Sequence, residues 1–249
     1  MSLRGKNVII TRQNEGIQEL TDLLELYDAN VIPFPLISFS YNEPVELLSS
    51  MKSWDIDTWV IITSQNALPS FDSVWKKSRK TEEQPFKIAT VGDKTKYYIE
   101  QKGYEVSFVP SQFVAKYLIS ELSEKITDEN VVYLHGNLAN EKIFQEAFSS
   151  YESYIVYETH VLKENAKRIH QYVEQNSVDF FVFTSPSAVR TFFEAGELKC
   201  AVSSAKFVAI GPSTKLVLQQ FGISNIIMPK IYTLDEMVKE MNLEESKHE

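Results

Sequence analysis

Val60-Ile61-Ile62-Thr63-Ser64-Gln65-Asn66-Ala67-Leu68 returns 121 positions later as Phe181-Val182-Phe183-Thr184-Ser185-Pro186-Ser187-Ala188-Val189. Each copy is an apolar run of strand length, a polar turn, and the opening of a helix. Further along, Ile88-Ala89-Thr90-Val91-Gly92-Asp93-Lys94-Thr95 matches Phe207-Val208-Ala209-Ile210-Gly211-Pro212-Ser213-Thr214. Gly92 to Gly211 and Pro110 to Pro229 share an offset of 119. So long a period is foreign to solenoid repeats. The chain is read as a duplicated domain: two similar lobes facing a shared cleft.

The intervening residues support alternating strands and helices. Asn7–Ile10 reads as a buried strand. Glu15–Tyr27 follows as a helix with Ile17, Leu20, Leu23, Leu24 and Tyr27 on one face. Val31–Phe39 is extended, but Pro33 and Pro35 keep it out of the centre of a sheet. Helices are predicted over Val45–Met51, Asn66–Lys77, Asp93–Lys102 and Val114–Lys125, with Gly103 stopping the third. The strands between them are Trp59–Thr63, Ile88–Val91 and Glu105–Val109.

The second pass predicts strands over Val131–Leu134, Phe180–Phe183, Phe207–Ile210 and Ile226–Met228. Its helices are Glu141–Ser149, Ile169–Gln175, Ala188–Glu194, Thr214–Phe221 (ended by Gly222) and Leu234–Met241, before a fraying tail from Glu244. This pattern predicts an α/β fold with two parallel, flavodoxin-like sheets, each covered by helices on both faces. Phe34 aligns with Tyr157, and Val8 with Val131, at an offset of 123. Phe34–Ser40 and Tyr154–Leu162 are therefore candidates for paired linkers between lobes.

Composition narrows the function. A net charge of −9 argues against general binding to nucleic acid or acidic membranes. The basic run Lys76-Lys77-Ser78-Arg79-Lys80 is followed by Glu82 and Glu83 and reads as a solvated loop. No apolar run is long enough to span a membrane, and the N-terminus lacks a signal-peptide pattern. A cytoplasmic protein is expected. The single cysteine, Cys200, rules out an intrachain disulfide and a thiolate metal cluster. His135, His160, His170 and His248 show no metal-ligand spacing, and His170 is placed on a polar helix face. No metal site is expected.

In open parallel sheets, ligands bind beyond the carboxyl ends of the strands. Four repeated turns end there: Thr63-Ser64-Gln65-Asn66, Gly92-Asp93-Lys94-Thr95, Thr184-Ser185-Pro186-Ser187 and Gly211-Pro212-Ser213-Thr214. Each precedes a helix, whose free N–H groups and positive dipole end suit a carboxylate or phosphate. Ser, Thr, Asn and Asp are also preferred N-caps, so one such turn alone reads as structural. Four, paired between copies, read as a binding cleft. No turn is a Walker loop or a dinucleotide fingerprint. Tyr157 lies in the second linker, where its phenol is placed to project between lobes, although a tyrosine there more often serves packing.

The ordered set resembles the uroporphyrinogen-III synthase family. The matching pieces are Val8-Ile9-Ile10-Thr11-Arg12, Ile62-Thr63-Ser64-Gln65-Asn66-Ala67, Val91-Gly92-Asp93-Lys94-Thr95, Val156-Tyr157-Glu158-Thr159, Phe183 to Val189 and Ile210 to Thr214. The resemblance implies an interlaced architecture. One lobe would be built from residues 1–33 and 164–249, a second from 43–152, with 34–42 and 153–163 as paired linkers. It implies a cofactor-free hydro-lyase that closes linear hydroxymethylbilane to uroporphyrinogen III, with ring inversion and loss of water. Hydroxymethylbilane synthase would be a transient partner. The sequence carries no oligomer signal, so a monomer is expected.

Carried over to this chain, the resemblance makes Tyr157 the catalytic residue. It assigns substrate binding to Thr11, Arg12, Thr63, Ser64, Asn66, Gly92, Thr95, Thr184, Ser185, Ser187, Gly211, Ser213 and Thr214. Where the family often has proline and, later, arginine, this chain has Gln13 and His135-Gly136-Asn137, with Lys142 as a candidate replacement cation. A two-lobed binding protein without turnover and a flavodoxin-like redox or signalling module are the alternatives.

Overall fold

The computed structural model describes residues 3–78, 83–196 and 205–246. Cys200, His248 and the end of the basic run, Arg79-Lys80, lie outside the described residues. The chain divides into two compact units, Met1–Ser38 with His160–Glu249, and Phe39–Thr159.

The first unit is built on β1 (Asn7–Ile10), α1 (Asn14–Glu25) and β2 (Asn30–Pro33). It continues with α7 (Lys163–Gln175), β8 (Phe180–Phe183), α8 (Pro186–Glu194), β9 (Lys206–Ala209), α9 (Pro212–Gln220), β10 (Ile226–Ile227) and α10 (Leu234–Ser246). Its strands pair in parallel in the order β10-β9-β8-β1-β2. Pro33 ends the edge strand β2, where its missing N–H costs no ladder bond. Alternate residues face opposite sides. Val8, Ile10, Phe180, Val182 and Val208 enter one core with Leu20, Leu24, Met237 and Met241. On the other face, Phe181 and Phe183 pack on Phe192 with ring centroids 5.3 and 5.5 Å apart.

The second unit contains β3 (Ile37–Tyr41), which begins at the boundary, then α2 (Val45–Ser50), β4 (Thr58–Ile62), α3 (Leu68–Ser78), β5 (Lys87–Ala89), α4 (Asp93–Gln101), α5 (Ala115–Ser123), β6 (Asn130–Gly136), α6 (Lys142–Gln145) and β7 (Tyr151–Val161). The sheet order is β3-β7-β6-β4-β5, with parallel pairing from β7 through β5. Leu162 N–H bonds the Leu36 carbonyl and Asn42 N–H bonds the Val156 carbonyl. One segment ascends as the other descends, so β3 runs antiparallel to β7. Both sheet faces are again covered: Val60, Ile62, Val132 and Leu134 join one core, while Trp59, Ile61, Val131 and Tyr133 join the other. Each sheet thus combines the first parallel strand pair of one repeat with the later strands of the other.

The repeats end their helices alike. Gly103 and Gly222 follow α4 and α9 with φ of 87° and 83°, a left-handed conformation that glycine adopts without a Cβ penalty.

Several predicted elements are shorter or placed differently. The strand expected at Glu105–Val109 reduces to a bridge between Ala89 and Phe108. Beyond it, the Gln84 side-chain amide takes both Glu105 backbone groups, at 2.8 and 3.0 Å, and so occupies the place of a pairing strand. The helix expected at Glu141–Ser149 is the single turn α6, tightened afterwards by an Ala147 N–H bond to the Phe144 carbonyl. Lys76 and Lys77 belong to α3 rather than to a loop and pair with Asp72 and Glu43. His170 is not on a polar face. Its ring packs against Phe192 at 5.2 Å, Nε2 is buried without a partner, and burial lowers its pKa. The tail from Glu244 does not fray at once, because α10 continues to Ser246.

Glu245 ties α10 to the amino edge of the first sheet, 3.1 Å from Lys6 and 2.7 Å from Lys206. Burial opposes its ionised form, but hydrogen bonds from Lys206 and Lys6 outweigh it and hold the carboxyl below its usual range. Its contribution is therefore present above the ordinary glutamate pKa and disappears as pH falls through the lowered value. Glu245→Gln is expected to cost about 2 kcal/mol near neutral pH. Urea unfolding should show wild type and variant converging in acid; a gap that widens in acid would contradict this assignment.

Candidate functional site

In both sheets the chain reverses direction of travel at one place: between β1 and β8 in the first unit, and between β6 and β4 in the second. Neighbouring loops diverge at such a switch point and open a crevice at the carboxyl ends of the strands. The predicted residues fall at these edges because parallel pairing sends every carboxyl end to the same side.

In the first unit, Thr11 follows β1 and is 1% exposed. Its N–H and hydroxyl both donate to the Val182 carbonyl, at 3.2 and 2.9 Å, so it holds β1 to β8 rather than facing outward. Arg12 is part-buried and lies across the first turn of α1. A Cβ on Gly16 would stand 1.9 Å from Arg12 Nε, so only glycine admits the guanidinium there. Nε is buried without a partner, and the outer nitrogen lies 3.7 Å from Glu19.

Across the crevice, Ser185 caps α8 by accepting the Ala188 N–H at 3.2 Å and also contacts Ser187 Oγ at 3.2 Å. Thr184 is part-buried and Ser187 exposed. One strand further out, Gly211 starts α9 with no side-chain cap. Ser213 is exposed, whereas Thr214 is 1% exposed.

The second unit repeats the pattern. Ser64 accepts the Asn66 N–H at 3.2 Å, which fixes the 3-10 turn before α3. Asn66 and Thr95 are part-buried, and Gly92 starts α4, again with no side-chain cap. The serine turns therefore engage their own hydroxyls, while the glycine turns leave helix-start amides for another acceptor. Thr63 is within 3.1 Å of the Tyr133 phenol. Burial pushes that phenol above its usual pKa against the Thr63 hydrogen bond, and the nearby Tyr157 and Glu141 add to the rise.

Tyr157 owes its position to a bulge. His135 pairs with Ile155 but Gly136 with Tyr157, so Val156 is an extra residue in β7. Consecutive strand residues normally face opposite sides, yet Val156 and Tyr157 both pack on the same core. The Tyr157 ring lies on Gly136, where a Cβ would come within 2.4 Å of Cζ and 2.8 Å of the hydroxyl. Phe39 meets its edge at 5.8 Å. The Asn137 N–H bonds the Tyr157 carbonyl at 3.2 Å. Behind this edge His135 is 4% exposed, its Nδ1 3.0 Å from the Gly136 carbonyl and its Nε2 3.7 Å from Glu141.

Lys142 is not aimed at this cluster. It is 78% exposed and pairs with Glu146 at 3.5 Å. Among the described residues no group of His, Cys, Asp or Glu could hold a metal ion. A depression of about 280 Å³ beside Phe34, Arg168 and Tyr172 on α7 includes none of the predicted site residues. Sequence reasoning does not single out Tyr133. A hydroxyl within the apolar run Val131–Leu134 is the available signal for it.

Fold and site together define a duplicated α/β protein whose helix starts and hydroxyls gather at the carboxyl edges of two sheets. The family model described as uroporphyrinogen-III synthase HemD matches residues 18–239. The chain belongs to the uroporphyrinogen-III synthase family, hydro-lyases of tetrapyrrole biosynthesis. It is 25% identical over 238 residues to a Methanocaldococcus jannaschii protein, covering 93% of this chain and 96% of that one. It is 22% identical over 251 residues to uroporphyrinogen-III synthase of Synechococcus elongatus, covering 95% and 94%. The solved fold of a mutant uroporphyrinogen III synthase from Thermus thermophilus matches with TM-score 0.71 at 16% identity, over 98% of this chain and 100% of that one.

Gly136→Ala is expected to destabilise the protein by about 1–3 kcal/mol through overpacking against Tyr157. Added to Tyr157→Ala, it should cost under roughly 0.5 kcal/mol. Denaturant titrations of the four-member cycle test this; equal costs in both backgrounds would dissociate Gly136 from the ring.

Proposed function

We propose that this chain converts linear hydroxymethylbilane to uroporphyrinogen III, using Tyr157 to assist hydroxyl departure and the helix starts of each unit to hold the substrate carboxylates. The observation that carries this reading is the family match over most of the chain, together with Tyr157 held at the carboxyl edge beside Gly136.

The chemical step needs a proton and restraint. As the terminal C–O bond breaks, the pyrrole nitrogen lone pair stabilises the carbon left behind, and a proton from the Tyr157 phenol leaves with the hydroxyl as water. The other terminal ring then attacks through its substituted position, giving a spirocyclic intermediate. Rearrangement and loss of a ring proton restore the pyrrole and leave that ring inverted. Unassisted closure gives the type I isomer, so the enzyme must restrict the ends of a flexible chain. Orientation is the main contribution.

The proposed binding groups are the amides at Gly92–Thr95 and at Gly211, Ser213 and Thr214, the Thr63, Thr184 and Ser187 hydroxyls, and Arg12. Ser64, Asn66 and Ser185 shape the turns, and Thr11 and Thr214 support them from within. No cofactor is required by this chemistry. The reading takes substrate from hydroxymethylbilane synthase in a transient encounter, with the chain a cytoplasmic monomer. No described helix is long and apolar enough to cross a membrane, while a rice relative is described as chloroplastic.

Hydroxymethylbilane, generated enzymatically, should yield the type III isomer on chromatography. Binding without turnover would favour the non-catalytic alternative. Tyr157→Phe is expected to lower kcat roughly 100-fold, with KM changed less than about threefold. A variant with wild-type kcat removes the phenol from proton transfer.

A further inference from the structure

The duplication contains a second pair of residues that the chemistry above does not use. Phe113 and Tyr232 share the 119-residue offset of Gly92 and Gly211. Each ring lies on its own glycine: a Cβ on Gly92 would stand 3.1 Å from Phe113 Cγ, and one on Gly211 would stand 3.4 Å from Tyr232 Cγ. The outer surfaces remain open, with Phe113 58% and Tyr232 56% exposed.

The backbone repeats as well. Val114 N–H bonds the Gln112 carbonyl at 2.8 Å, and Thr233 N–H bonds the Ile231 carbonyl at 2.9 Å. Each aromatic residue is therefore the apex of a three-residue turn immediately before a helix, α5 or α10. Even the strand register leading to it is kept, since Phe108 pairs with Ala89 and Ile227 with Val208. The flanking residues are not kept: Ser111-Gln112 stands against Lys230-Ile231, and Val114 against Thr233.

Packing does not account for this arrangement. A lone exposed aromatic is ordinary, but here the same ring recurs on the same glycine at the same sheet edge in each unit. The glycine brings the ring against backbone that a side chain would otherwise cover. It also leaves the first amides of α4, and in α9 those of Ser213 and Thr214 that follow Pro212, near the ring without a side-chain cap. One surface is flat and apolar; the adjacent one carries uncapped helix-start N–H donors. A ligand matching both has a planar ring carrying carboxylates on short arms.

We propose that Phe113 and Tyr232 are substrate-binding residues, each supporting a carboxylate-bearing pyrrole ring while the neighbouring helix start takes its carboxylate. This rests on the synthase reading and adds a ring contact to it. The contact acts on binding and placement, with no proton transferred. In the free protein neither side chain fills a cavity, so truncation should leave thermal stability nearly unchanged.

The test is steady-state kinetics of the full chain with enzymatically generated hydroxymethylbilane, with products resolved as type I and III isomers. Phe113→Ala and Tyr232→Ala should each raise KM roughly three- to tenfold, the scale of an aromatic contact, and increase the type I fraction. Phe113→Leu should remain impaired, while Tyr232→Phe should recover most of the affinity lost in Tyr232→Ala. Wild-type KM in both alanine variants overturns the proposal, as does full recovery by leucine, which would reduce the role to bulk. Wild type that does not accelerate type III formation removes the synthase reading itself, an outcome distinct from active wild type with indifferent variants.

Discussion

Parallel strand pairing is the constraint on which everything else depends. A parallel ladder directs every strand's carboxyl end to one edge, and the connecting helices must cover both faces of the sheet. Here Val8–Ile10, Phe180–Phe183, Val60–Ile62 and Val131, Val132 and Leu134 are fully buried, with side chains in cores on both sides. Apart from Tyr133 and His135 in β6, such strands leave little room for reactive polar groups along their length. Polar chemistry is displaced to where the chain leaves the sheet and a helix begins with unpaired amides. The Lys6–Glu245–Lys206 network occupies the opposite edge, where it closes the core without intruding on the chemistry.

At the carboxyl edge, similar residues divide between capping their own backbone and leaving helix-start amides uncapped. Ser64 and Ser185 engage amides of their own turns, and Thr11 donates into the neighbouring strand. Gly92 and Gly211 do the reverse: they bring no side chain to cap the helix, and each lies under an exposed ring. An acidic protein can thus hold an anionic ligand through backbone dipoles with few cations. Arg12, lodged over Gly16, is a cation whose placement depends on a glycine one helical turn away.

The interlacing of the repeats gives these edges their composition. Each sheet takes a first strand pair from one copy and its remaining strands from the other. The groups meeting at a switch point are therefore far apart in sequence: Thr11 with Val182, and Thr63 with Tyr133. Neither repeat alone carries a complete crevice. Duplication supplied the turns, and exchange of strands combined them.

The sequence by itself determined the two repeats, the parallel α/β class, the helix starts after buried strands and the glycine stops at Gly103 and Gly222. These features depend on local periodicity and on the conformations individual residues can adopt, so they are legible without a partner strand. Only the tertiary structure decided the Val156 bulge, the seat of Tyr157 on Gly136, the burial of Thr11 and Thr214, and the Gln84 side chain that shortens the Glu105 strand. Each depends on which backbone lies opposite, a pairing register set by packing across large sequence separations. The same limit hid Phe113 and Tyr232, whose spacing was visible but whose resting place on the glycines was not.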